Sequence, residues 1–469
     1  MQQQKNSFCA SVLMFYDSTQ TFTSTVFEHV SSFSKYSEHS WFYTDYRNLN
    51  SDKVNLSCFD IVVIHYSVRL PFSQISDLMI QKLRAFKGLK LLFIQDEYDY
   101  VNKTKSTMLD IKFNLIFTVV PDKSISLIYP PDEFAGVLLI NNLTGYVPDN
   151  LSSQFNAHIP PSKRSLVIAY RGRQLPIQYG SLGIEKKQIG VRVKTYCELN
   201  NIQHDIALEE KDRIYGDAWY QFICSSKAML GSESGSNVFD WDGNLKNTID
   251  KYRKQNPNSS KQKFDIEDQI YDKIVAPKEL DEVMNQISPR VFEMIAARTV
   301  MILFEGNYSG VLTPHKHYIP LKKDFSNLDE VFYLLNDGDY IDEMVDNVYE
   351  DVISSKKYSY QTFMKMVDQK INISIKNFSG SLATKNLDTY RTSIENVCLH
   401  PVKTENVNNY NLPLTVSIKT GSYFPKPINF IITKIVYIIL TIGIKILLYL
   451  PMPIRTIIIK FIKKILRRI

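Results

Sequence analysis

The chain has 469 residues, a formal charge of +6, 44% hydrophobic residues and 22% charged residues. That is room for about two to four domains with real cores, and 26 Phe and 28 Tyr exclude global disorder. Long apolar runs are confined to one end, which excludes a polytopic membrane protein, and Cys9, Cys58, Cys197, Cys224 and Cys398 are too scattered to support a disulfide framework or a zinc site.

In chain order, the stretch Ser11 to Tyr16 reads as a first strand. A signal peptide fits less well, because Ser7 and Ser11 interrupt the apolar run and no small-residue cleavage site follows. Phe59 to Ile64, Leu89 to Ile94 and Asn114 to Val120 are short apolar runs rich in β-branched residues, with a helical segment from Ile75 to Phe86 between two of them. Strands separated by helices imply βαβ units and a parallel sheet. Pro160-Pro161 marks a linker between residues 1–160 and 161–400.

A second series follows. Leu166 to Tyr170 and Ala228 to Leu230 read as strands, with a helix from Lys187 to Asn200. Residues 241–285 are polar and read as a surface insertion. A helix from Pro289 to Ala297, a strand from Thr299 to Phe304, an Asn327-capped helix through Leu335 and helical residues 340–372 complete the series. The expected fold is therefore α/β, two Rossmann-like doubly wound domains facing a cleft. Ligands in such folds sit at the carboxyl ends of strands.

Several strand ends carry suitable chemistry. Arg171-Gly172-Arg173 is either a solvated turn or a bidentate phosphate clamp in which Gly admits the backbone. Lys186 adds charge nearby. The loop Gly231-Ser232-Glu233-Ser234-Gly235 is either flexible or a holder of anions and sugar hydroxyls, with Glu233 at its centre. Ser288-Pro289-Arg290 opens a helix, and Glu293 in its first turn either complements the dipole or faces a ligand. His65, Asp96 and Glu97 end strands of the first half and are expected on the opposite, acceptor-side wall, where His65 is either a structural histidine or a catalytic group. His315 and His317 lack a third ligand nearby, so no metal is expected.

The stretch from Ser288 to Val300, then Phe304-Glu305-Gly306 and Tyr308-Ser309-Gly310, resembles the C-terminal half of GT-B glycosyltransferases. The nearest groups are the group-1 retaining transferases and the spore-maturation-protein-like branch. The resemblance covers roughly residues 165–340. It implies a nucleotide-sugar donor, with Glu293 on the ribose and Arg171, Arg173 and Lys186 on the diphosphate, supported by the helix start at Ser288 and Arg290. It implies neither cofactor nor metal, so cations and helix dipoles would stabilise the leaving group. Two departures stand out. Arg298 replaces the usual Gly, and Asn285 stands where retaining members usually have a Glu. Either that carboxylate is lost or Glu233, brought across the insertion, takes its place as a catalytic group beside His65. We favour the second, and the stereochemical outcome stays open. The non-enzyme alternative is an inactive GT-B-like scaffold that docks partners at a membrane.

Residues 401–427 read as a linker. Residues 428–450 are long enough to span a bilayer but carry Lys434 and Lys445, each costing about 2.5–3.5 kcal/mol at mid-membrane. After Pro451 and Pro453, one face of an amphipathic helix holds Lys460, Lys463, Lys464, Arg467 and Arg468. This predicts a monotopic or re-entrant anchor on anionic lipid at the cytoplasmic face of the cell membrane, with a membrane-bound or envelope glycan or glycolipid as acceptor. Residues 425–469 hold nine of the 55 cations and no acid, leaving 46 cations against 49 anions in the body, so nucleic acid is not an expected partner.

Overall fold

A computed structural model describes residues 8–48, 55–155, 159–256, 263–378 and 398–404. The predicted membrane tail, with Lys434, Lys445, Lys460, Lys463, Lys464, Arg467 and Arg468, lies outside these residues. Among the described residues no helix is long and apolar enough to cross a membrane.

The first sheet contains β1 (Ser11–Tyr16), β2 (Ser40–Asp45), β3 (Ile61–Ile64), β4 (Leu89–Ile94), β5 (Leu115–Thr118) and β6 (Leu138–Asn141). All pairings are parallel, in the order β2-β1-β3-β4-β5-β6. Its inner strands are apolar on both faces because both faces are covered. Leu13 and Phe15 pack toward α2 (Asp77–Ala85), α3 (Val101–Ile111) and α4 (Asp122–Ile128). Val12 and Met14 pack on the other side, toward α1 (Ser24–Tyr36).

The second sheet contains β7 (Leu166–Arg171), β8 (His204–Ala207), β9 (Ser226–Gly231), β10 (Val300–Phe304) and β11 (Ile319–Leu321), again all parallel, in the order β11-β10-β9-β7-β8. One face carries α5 (Gly180–Leu199), α10 (Leu328–Asn336) and α11 (Gly338–Val348); the other carries α6 (Asp217–Ser225) and α9 (Pro289–Ala296). The strand order reverses between β7 and β9. This is a topological switch point, where the crevice of an open α/β sheet lies. Two doubly wound halves are thus present, as the GT-B expectation required.

Three findings depart from the sequence expectation. The polar stretch 241–285, expected as a surface insertion, also contributes apolar residues to cores. Its helices α7 (Leu245–Gln255) and α8 (Lys263–Ile270) form a small core in which Leu245, Ile249 and Ile270 meet Ile177. Flanking residues Phe239, Val283 and Met284 sit in the core of the first half. Backbone bonds from Val101 N to Asp240 O (3.1 Å) and Asn102 N to Trp241 O (3.0 Å) tie the same stretch down. Secondly, Asn327 makes no side-chain cap on α10; its amide instead bridges Lys322 N and Pro320 O. Thirdly, α12 (Tyr360–Asn377) returns to the first sheet, where Phe363, Met364, Val367 and Ile371 pack with Val12, Met14 and Phe93.

Candidate functional site

A cavity of about 440 Å³ lies at the carboxyl ends of β7 and β9, with Asp96 and Tyr98 of the first half opposite. Arg171 ends β7, and Gly172 and Arg173 carry the chain across the cavity mouth. Gly172 is needed there, since a Cβ would fall 2.4 Å from the Tyr170 ring. Lys186 enters from α5 and donates to Ser234 Oγ at 2.9 Å. Arg290 enters from the first turn of α9, lies over the Trp219 ring at 5.0 Å and donates to Arg171 O at 2.9 Å. Ser232 and Ser288 complete the walls predicted from sequence.

The electrostatics of this cavity are one-sided. Arg171, Arg173, Lys186, Arg213 and Arg290 line it, against the single carboxylate of Asp96. Arg171 pairs with Asp205 (2.8 Å) and Arg213 with Glu210 (2.7 Å). Among the described residues, Arg173, Lys186 and Arg290 have no carboxylate at ion-pair distance. Burial pushes the Lys186 ammonium down to about 8, and Arg290 adds to the shift. Arg171 Nε is buried without a hydrogen-bond partner. A buried ammonium and an orphaned donor are costly without an anion, and the exposed Arg173 and Arg290 add positive potential at the mouth. A multiply charged anion such as a diphosphate is the chemistry that completes this site.

Other predicted residues stand elsewhere. Glu233 is 3% exposed and forms no wall of the cavity. Its oxygens accept from Tyr308 N (2.7 Å) and Asn285 Nδ2 (2.6 Å). A Cβ on Gly306 would lie 2.6 Å from Glu233 Oε2, so Gly306 makes room for the carboxylate. Asn285 thus meets Glu233 away from the cavity, which neither residue lines. Glu293 also misses the cavity. It accepts from Trp219 Nε1 at 2.7 Å and faces a second cavity, and burial raises its carboxyl above the usual range.

Of the first-half residues singled out from the sequence, Asp96 alone reaches the site, held at a left-handed φ of 53°. Glu97 turns inward. It accepts from Thr118 Oγ1 (2.7 Å), Val119 N (3.0 Å) and Tyr129 OH, and burial pushes it up to about 7. His65 is fully buried, bonded to His29 Nδ1 (2.9 Å) and Ser67 Oγ (2.9 Å), with its basicity suppressed by burial. It is therefore a core histidine and not a catalytic group facing the cleft. His317 bonds Asp351 at 2.9 Å, and among the described residues no three ligating side chains converge on a metal site. Sequence reasoning missed Arg213, Trp219 and Tyr98, none of which belongs to a motif.

No protein-family model matches the chain, and no curated protein does. Similar solved structures exist at low identity. TarM is 12% identical with a TM-score of 0.36 over 69% of this chain, and the chain spans 56% of TarM's own length. An alpha-glucosyltransferase solved with UDP and DNA containing a HMU base is 9% identical, TM-score 0.44, over 78% of this chain and 100% of that one. HepE of Anabaena, solved with UDP and glucose, is 7% identical, TM-score 0.43, with the same coverage of 78% and 100%.

Proposed function

We propose that the chain is a glycosyltransferase that takes a sugar from a nucleoside-diphosphate sugar. The observation that carries this reading is the set of uncompensated cations, Arg173, Lys186 and Arg290, at the switch point between two doubly wound halves. In the reaction, the bond from the anomeric carbon to the diphosphate oxygen breaks as an acceptor hydroxyl oxygen bonds to that carbon, and the hydroxyl proton passes to the departing diphosphate. Charge builds on the departing phosphate, and the preplaced cations stabilise it without reorganising. Gly172 and the loop Ser232–Gly235 let the backbone come close to the phosphates.

Within this reading Glu233 is a positioning residue. Pinned by Tyr308 N and Asn285, it fixes the loop that carries Ser232 and Ser234. Glu293 acts through Trp219, holding the ring under Arg290. The predicted basic tail supports placement at the cytoplasmic face of a membrane, with a membrane-bound or envelope glycan as acceptor. Titration calorimetry against UDP-, GDP- and TDP-sugars tests the donor reading. Binding of at least one is expected, and Arg173→Ala and Arg290→Ala should each weaken it by about tenfold or more, the worth of a charged hydrogen bond. Unchanged affinity in both variants would sink the assignment.

A further inference from the structure

A second cavity, of about 190 Å³, opens on the other side of the first turn of α9. Helix geometry divides the two: Arg290, Val291 and Met294 face the first, while Pro289, Phe292 and Glu293 face the second. We propose that this second cavity binds one uncharged or amine-bearing pyranose ring. The proposal does not depend on the donor reading of the first cavity.

Size comes first. The volume is below the roughly 300 Å³ where drug-sized sites begin, so it suits a single ring and not a chain. The lining is layered in the way a sugar requires. Tyr146 and Tyr220 are half-buried in the lining, over the buried Phe292 and Tyr360, and offer aromatic surface to the C–H face of a ring. Asn150, Gln154 and Asp217 are exposed at the rim, within the same lining, and offer donors and acceptors to its hydroxyls.

The acids within it are poised for hydroxyl or ammonium donors. Among the described residues Glu28 has neither a hydrogen bond nor an ion pair, although burial raises its carboxyl above the usual range. Glu293 commits Oε2 to Trp219, and among the described residues Oε1 has no partner. Among the described residues no group of three metal-ligating side chains exists, so these acids form no metal site and their oxygens are open to hydroxyl or ammonium donors. Glu28, Asp217 and Glu293 outweigh the one cation, Lys403, so phosphorylated or carboxylated sugars should be refused.

The test is titration calorimetry on the full chain without nucleotide. Glucose, N-acetylglucosamine and glucosamine are compared with glucose 6-phosphate and glucuronate. Binding of the neutral or amine-bearing rings is expected, with the anionic ones about tenfold weaker or worse, and Glu28→Gln and Asn150→Ala should each weaken binding by about tenfold. Circular dichroism of both variants confirms that they fold. No binding of any neutral or amine-bearing ring at millimolar concentration overturns the proposal. So does equal affinity for glucose 6-phosphate, or affinity unchanged in both variants. Failure here leaves the nucleotide titration standing, and the reverse also holds.

Discussion

Two buried ionisable side chains make opposite demands on pH. Lys186 has its ammonium pushed down to about 8 by burial, so below that value it is charged and above it neutral. A diphosphate binds the charged form. Donor affinity should therefore hold below about pH 8 and then fall by up to tenfold per pH unit. Lys186→Arg keeps its charge through that range, so its affinity should stay level where the wild type declines, as calorimetry across the alkaline range would show. Glu97 runs the other way. Its folded value is about 7 against 4.5 when free, so between them the folded state keeps a proton that the unfolded chain has lost. Stability then falls as pH rises through that window, by on the order of 3 kcal/mol. Glu97→Gln should lack this loss, so its stability relative to wild type should improve by about that amount from pH 5 to pH 8 in urea denaturation.

Helix α9 shows how one departure from a family pattern is absorbed. Its end is a Schellman motif, with Thr299 N bonding Met294 O (3.0 Å) and Arg298 N bonding Ile295 O (2.9 Å). Arg298 fills the position that prefers Gly and has a φ of 47°. Its guanidinium lies 3.9 Å from the Tyr349 ring centroid and pairs with Asp346. Arg298→Ala keeps the left-handed strain and loses those contacts. Arg298→Gly loses the same contacts and also the strain, so it should be more stable than the Ala variant by about 1 kcal/mol in thermal denaturation.

The same helix marks the limit of what its sequence tells. Ser288-Pro289 announced its start, and the strand-end cations Arg171 and Arg173, with Arg290 in the helix's first turn, were legible because they sit where a switch-point ligand must lie. Glu293 was not placeable, since which side of a first turn meets the ligand is settled by packing against α6. Strand β2 escaped notice because no Gly or Pro brackets Ser40–Asp45. Helix α1 is rich in Ser and Thr, residues of low helix propensity, and forms because Val30 and Phe33 bury against the first sheet. His65 and Glu97 looked exposed only because strand ends usually are; their burial depends on partners, His29 and Tyr129, remote in sequence.

The whole chain crosses between its halves more often than a two-domain reading suggests. Phe239, 2% exposed, leaves the second half to fill the first half's core. Gln286 Nε2 bonds Val119 O, and Thr144 Oγ1 bonds Ile287 O at 2.6 Å. The halves should then unfold together. Far-ultraviolet dichroism and tryptophan emission are expected to trace one coincident transition, and Phe239→Ala should destabilise it by about 3–5 kcal/mol. Two separated transitions in the wild type would show that these crossings do not couple the halves.

The return of α12 to the first sheet also has a temporal side. Ile371 is made 230 residues after Asn141 closes that sheet's last strand. At 5–20 residues per second, roughly 10–50 s of synthesis pass before the face around Val12, Met14 and Phe93 receives its cover. During that interval the part of this face that α1 leaves open is uncovered on the nascent chain. Ribosome-bound fragments ending before Tyr360 should therefore be captured by holding chaperones more strongly than fragments ending after Asn377.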